Sequence, residues 1–211
     1  MTDGLHAWQV RAFDLAGNVS NWSGVGTFSS SSLKAYLPLM ANNYTAPTEP
    51  PVTTCSNLIV NGGFETGTLS GWVMPSYTPP PGTVTGAVNS GLYAARVGAA
   101  ATGDSVTGYS SIQQAVTIPA NALTATLAFA RFPYSADTSG DLQYVAILNG
   151  GLVSDYLVYE RSNAQAWLPA QFDLRPYAGQ TINVRFSVSN DGQHGATGLY
   201  VDDVVVQVCV P

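Results

Sequence analysis

From Asn57 onward the chain is written in short runs whose apolar residues recur at every second position: "NLIVNGG", "GTVTGAV", "YAARVGA", "SSIQQAVTI", "ATLAFARF", "DLQYVAIL", "LVSDYLVYE", "AWLPAQFDL", "INVRFSVS" and "GLYVDDVVVQV". Gly, Pro, Asn, Asp and Ser separate the runs, which is the punctuation of tight turns between strands. A period of two places alternate side chains on opposite faces of a strand. No ten-residue stretch carries the 3.6-residue repeat of an amphipathic helix. The expected fold is all-β, two antiparallel sheets packed face to face as a β-sandwich.

The alternation also assigns faces. In "YSSIQQAVTI", Ile112, Val116 and Ile118 point to one side, and Tyr109, Ser111 and Gln113 to the other. In "TATLAFARF", Leu127 and Phe129 face in, while Thr124, Thr126, Ala128, Ala130 and Phe132 face out. In "INVRFSVS", Ile182, Val184, Phe186 and Val188 face in, and Asn183, Arg185, Ser187 and Ser189 face out. An outer face of small and polar residues with scattered aromatics and one arginine suits a shallow ligand groove. It equally suits an ordinary solvated sheet.

Three zones follow one another. Residues 1–30 include "HAWQVRAFDLAGNVSNWS", where Trp8, Val10 and Ala12 alternate with Gln9, Arg11 and Phe13 as in a strand, "DLAGN" turns, and "GVGTFSS" forms a second strand. The phrase "VRAFDLAGN" resembles the last two strands of fibronectin type III or immunoglobulin-like domains, which implies a fragment of such a domain. Two strands bury no core alone. Residues 31–54 open with the apolar "YLPLM" and continue as a Pro/Thr-rich linker, a composition that favours extended chain. Residues 55–211 are the complete domain. Met1 is not expected to be the natural start, because "MTDGLHAWQV" lacks the features of a leader peptide while the remainder reads as exported. We expect the C-terminal part of a longer secreted or cell-surface bacterial protein. The sequons at Asn18, Asn21 and Asn43 matter only in a glycosylating eukaryote.

Charge narrows the partners. With 7 Lys and Arg against 13 Asp and Glu, the formal net charge is -6. Nucleic acid is not an expected partner, since phosphate contacts need clustered cations. Membrane insertion is not expected either, as no apolar run approaches the ~20 residues of a spanning helix. The two cysteines, Cys55 and Cys209, bracket the complete domain. The first and last strands of a jelly-roll-like sandwich are neighbours, so a disulfide between them is expected, and with it an oxidising compartment.

Catalysis is not expected. Only His6 and His194 could serve a Ser-His-Asp set, and neither lies in a suitable setting. No G-x-S-x-G or H-E-x-x-H is present. "DTSGD" (137–141) and "SNDGQHG" (189–195) match no EF-hand spacing and read as turns.

Three phrases carry a family likeness: "LIVNGGFETGTLSGW", "SGLYAARV" and the terminal "LYVDDVVVQV". Over roughly residues 56–208 the chain resembles jelly-roll carbohydrate-binding modules of galactose-binding-like type, as appended to xylanases and other glycan-active enzymes. The resemblance implies a structural calcium held by Glu65, Asp202 and the carbonyls of Gly63 and Tyr93, with Asn89 or Ser90 adding an oxygen. Oxygen-rich, Gly-flexible surroundings suit that ion. Asp203, expected on the opposite face from Asp202, is the weaker candidate. The resemblance further implies a polysaccharide or glycan ligand at a cleft near Tyr109 and Tyr156 or Tyr159, with Gln113, Phe132, Tyr134 and Arg185 on or near the same face. The chain departs from that pattern in having no tryptophan among these positions; Trp72 and Trp167 are expected to pack the sandwich. The competing expectation is a structural or adhesive surface domain that binds protein or cell envelope without sugar affinity.

Overall fold

A computed structural model describes residues 4–12, 19–30, 53–100 and 106–211. The chain divides into two compact units, Met1–Thr48 and Glu49–Pro211. The linker from 31 to 52, the turn "DLAGN" and the sequons at Asn18 and Asn43 lie outside the described residues.

In the first unit, strands β1 (Gly4–Trp8) and β2 (Gly26–Ser30) pair antiparallel, with Trp8 opposite Gly26. The regular strand therefore ends at Trp8, where the alternation of Trp8, Val10 and Ala12 suggested that it continued. Beyond it, Ser20 and Ser23 keep the two arms together. The amides of Ala12 and Val10 donate to their hydroxyls at 2.9 and 3.1 Å, and Val10 and Ala12 return carbonyls to the amides of Ser23 and Ser20. The Arg11 guanidinium lies 4.8 Å from the Trp22 ring centroid, a cation–π arrangement.

The second unit is the expected β-sandwich. Its strands are β3 (Thr54–Asn57), β4 (Val73–Tyr77), β5 (Gly82–Val84), β6 (Ala94–Gly98), β7 (Gly108–Thr117), β8 (Thr124–Ser135), β9 (Leu142–Asn149), β10 (Leu152–Glu160), β11 (Leu168–Asp173), β12 (Thr181–Asn190) and β13 (Thr197–Val210). A front sheet runs β10-β9-β12-β7-β4, and a back sheet runs β11-β8-β13-β6-β5, with β3 also on β13. All the pairings are antiparallel. Inward residues of both sheets, among them Ile112, Leu127, Val145, Phe186, Val188 and Val206, are almost wholly buried. Phe186 meets Phe129 edge-on at 5.1 Å and Trp72 at 5.9 Å, so aromatic rings bridge the two layers.

Two local departures have physical reasons. "NLIVNGG" is not a strand past Asn57. Instead the Gln114 side chain accepts from the Val60 amide at 2.7 Å and donates to the Val60 carbonyl at 2.9 Å, replacing a strand neighbour. Strand β4 was not foreseen because Pro75 interrupts it; it is the last strand of the front sheet, the place where a missing amide donor is tolerated. The first and last strands do meet: Cys55 is directly opposite Cys209, and the two are disulfide-bonded.

Candidate functional site

The outer surface of the front sheet is built by register. Cross-strand neighbours place Tyr159, Tyr144, Ser187, Ser111 and Ser76 in one row across five strands. The adjacent row is Tyr156, Ala146, Arg185, Gln113 and Val73. At a strand spacing of about 4.8 Å, each row is roughly 19 Å long. One end of this strip is aromatic. Tyr156 and Tyr159 have centroids 5.0 Å apart, and Tyr144 stands edge-on to Tyr156 at 5.7 Å. Tyr156 and Tyr159 are 54% and 58% exposed, so each keeps ring surface available for contact. The middle is polar: Arg185 donates through Nε to Gln113 Oε1 at 2.8 Å. Beside that pair the Ser111 and Ser187 hydroxyls form a buried floor without hydrogen-bond partners. Tyr109, 60% exposed, lies one row further along, beyond Ser189.

Of the expected ligand residues, Tyr109, Gln113, Tyr156 and Arg185 thus share one face, with Tyr159. Phe132 and Tyr134 do not. They belong to β8 in the back sheet, opposite Tyr200 and Gly198 of β13, and point away from the front sheet. Phe132 packs on Trp167 and Tyr200, each at 5.7 Å, and Tyr134 on Tyr200 at 5.2 Å. Tyr134 is only 4% exposed. Burial, followed by the neighbouring Tyr200, pushes its hydroxyl well above the ordinary tyrosine range. Alternation within β8 turned Phe132 outward, and Tyr134 two residues on shares that direction, but outward from which sheet is a property of strand order. Tyr144 was overlooked, although the inward set Gln143, Val145 and Ile147 in the same run turns it to the surface.

The second constellation is a clasp of carboxylates around residues 89–93. Glu65 accepts from the amides of Leu92 and Tyr93 at 3.0 to 3.1 Å. Gly91 fits there because a β-carbon would collide with that carboxylate. Asp202, fully buried, accepts from the amides of Asn89 at 2.9 Å, Ser90 at 3.1 Å and Asp203 at 2.8 Å. Asp203 does not turn away. A bulge between Asp202 and Val205, with Asp203 at φ 51°, brings its carboxylate onto Asn89 Nδ2 at 2.6 Å and Ser90 Oγ at 2.7 Å. Gly63 adjoins it, a β-carbon there lying 4.0 Å from Asp203 Oδ1. Burial, and then the Asp203 charge, raise the Asp202 carboxyl above the usual range despite three N–H donors. No ion pair reaches Glu65, Asp202 or Asp203 among the described residues. The three carboxylates border one loop and are met only by N–H and O–H donors, an oxygen-rich surrounding of the kind a hard cation uses, although their oxygens are not gathered as closely as those of Asp137, Asp141 and Asp191.

A third group was read from the sequence as turns alone. Asp137, Asp141 and Asp191, from "DTSGD" and "SNDGQHG", bring ligand oxygens within 4.8 Å of one another. For Asp141, burial raises the carboxyl above its ordinary value, assisted by the charges of Asp137 and Asp191. Burial acts the same way on Asp137, but the amides of Asp141, Ser139 and Thr138 and the Arg161 guanidinium outweigh it and hold that carboxyl below the usual range.

The second unit has the fold of the β-sandwich carbohydrate-binding modules. The structure of TmCBM61 in complex with β-1,4-galactotriose superposes with a TM-score of 0.54 at 20% identity, covering 72% of this chain and 97% of that one. The K3 cleaved adhesin domain of Lys-gingipain from Porphyromonas gingivalis superposes with a TM-score of 0.50 at 16% identity, covering 72% and 98%. No protein-family model matches the chain. The pre-pro-metalloprotease PrtV of Vibrio cholerae is 44% identical over 45 residues, which are 21% of this chain and 5% of that relative's length.

Proposed function

We propose that the second unit is a non-catalytic module that binds a polysaccharide or glycan on the outer face of the front sheet. The observation that carries this reading is the exposed group of Tyr156 and Tyr159, flanked by Tyr144 and continuous with the Arg185–Gln113 pair. Tyrosine faces stack on the C–H faces of sugar rings, and planar guanidinium and amide groups hydrogen-bond ring hydroxyls. Exposed tyrosines stand at both ends of the strip over a buried serine floor, a layout that suits a chain-shaped ligand. Phe132 and Tyr134 take no part in it. Tyr109 serves as the contact at the far end.

A structural calcium at the clasp belongs to the same reading. Glu65 and Asp202, with the Gly63 and Tyr93 carbonyls, would hold it, and Asp203 is added to that set by the bulge. When bound, the ion supplies the positive charge that the three carboxylates lack, and fixes the 89–93 segment against β13. The disulfide supports a secreted or cell-surface setting. We place the module in a longer exported protein whose preceding domain ends with the β1–β2 hairpin.

Affinity electrophoresis in gels carrying galactans, xylans and β-glucans tests the sugar site. Retention by at least one polysaccharide is expected, weakened roughly tenfold in Tyr156→Ala, the equivalent of ~1.4 kcal/mol. Phe132→Ala should leave it unchanged. Absence of retention on every glycan would favour the structural or adhesive role.

A further inference from the structure

We propose that Asp137, Asp141 and Asp191 form a calcium-binding site, distinct from the clasp, that ties the β8–β9 loop to the β12–β13 loop at the Tyr109 end of the front sheet.

The three carboxylates arrive from two segments 50 residues apart, with ligand atoms within 4.8 Å of one another. Each spends one oxygen on a backbone amide. Asp137 Oδ2 accepts from Asp141 at 3.0 Å, Asp141 Oδ1 from Asp191 at 2.7 Å, and Asp191 Oδ1 from Gln193 at 2.7 Å. The remaining oxygens are what point to an ion. Asp137 Oδ1 and Asp141 Oδ2 are buried without a well-formed hydrogen bond, on side chains with no exposed surface, the Ser139 and Thr138 amides near Asp137 and the Thr197 hydroxyl near Asp141 being their neighbouring donors. Asn190, next to Asp191 in the chain, has an Oδ1 in the same condition while its Nδ2 donates to the Thr197 carbonyl at 3.1 Å. A buried carboxylate oxygen without a well-formed bond is a costly feature, and this cluster holds two.

Among the described residues, protein cations do not balance the group. Arg161 Nη1 is 3.9 Å from Asp137 Oδ2 and His194 Nδ1 is 3.8 Å from Asp137 Oδ1; both address Asp137 alone and neither at hydrogen-bond distance. Three carboxylates against one permanent cation leave about two negative charges at the loops. The donors are oxygens, and two oxygens each about 2.4 Å from one ion lie no more than about 4.8 Å apart, a limit that these ligand atoms meet. Zinc prefers nitrogen or sulfur ligands, and the one that the ion-pair geometry brings near among the described residues is His194, whose side chain is 51% exposed.

The location gives the site a consequence. Thr107 Oγ1 donates to the Asp191 carbonyl at 2.9 Å, and Thr107 immediately precedes β7, which carries Tyr109. Leu142, the residue after Asp141, pairs with Ser189, and Ser189 pairs with Tyr109. An ion here orders the loops that flank the far end of the tyrosine strip.

Isothermal titration of calcium chloride into chelator-stripped full-length protein tests the assignment. Wild type and Glu65→Gln are both expected to bind calcium at the Asp137–Asp141–Asp191 site. Asp191→Asn, at the least buried of the three, should lose one calcium equivalent or weaken one site at least tenfold, and Asp141→Asn should do the same where circular dichroism shows it folded. Isotherms unchanged in Asp191→Asn, no calcium bound by wild type, or uptake of zinc but not calcium would each overturn the proposal. Loss of an equivalent only in Glu65→Gln would support the clasp while overturning this site, so the two fail separately.

Discussion

Tyr134 and Tyr156 are the same side chain on outward-facing strand positions, yet one is 4% exposed and the other 54%. The difference lies in what each meets: Tyr200 and the aromatic row of the back sheet for Tyr134, solvent and Tyr159 for Tyr156. The Tyr134 hydroxyl is buried near Tyr200 without a well-formed hydrogen bond, and burial raises it. Above a pH of about 10 the unfolded chain releases this proton while the folded protein keeps it. Stability contributed by the neutral hydroxyl is therefore lost as pH rises from about 10 toward the raised folded value. Tyr177, raised by burial and then by its bond to Asp155, adds in the same direction. Tyr134→Phe should flatten the fall in urea midpoint between about pH 9.5 and 11 and cost less than about 1 kcal/mol at neutral pH, because it removes an unpartnered group. A mutant with the wild-type alkaline slope would refute this account.

Among the elements, β13 does the most. It is the longest strand, pairs with β8, β6 and β3, and carries the bulge that delivers Asp202 and Asp203 to residues 89–90. A strict period of two sends these neighbours to opposite faces. The bulge breaks that period, and a bulge leaves little trace in a single sequence. Asp202→Ala removes the acceptor for three backbone amides and should destabilise the domain by roughly 2–4 kcal/mol in urea unfolding. Glu65→Ala, at a more exposed end of the same clasp, should cost about 1 kcal/mol. Equal costs would mean that the buried end is not the stronger half.

Over the whole second unit, the disulfide joins positions 154 residues apart, linking the first strand to the last. In the chain-entropy description a loop of that length restricts the unfolded state by about 5 kcal/mol. Reduction, or a Cys55→Ser and Cys209→Ser double variant, should lower unfolding stability by about that amount and leave the sugar-retention assay unaltered. A reduced protein that also lost retention would show that the front face depends on β3.

The strands from β5 to β13, the inward residues of β7, β8 and β12, the bridging of Cys55 to Cys209 and the presence of a tyrosine-bearing face were legible because each follows from local periodicity or from the positions of the two cysteines. Strand order and loop convergence were not, because they depend on which distant segments become neighbours. That is why Phe132 and Tyr134 moved to the back sheet and Tyr144 joined the front strip. It is also why two segments read as plain turns came to share three carboxylates, and why Asp203 returned to the clasp. Alternation tells a side chain which way to point; only the packed sheets decide what it points at.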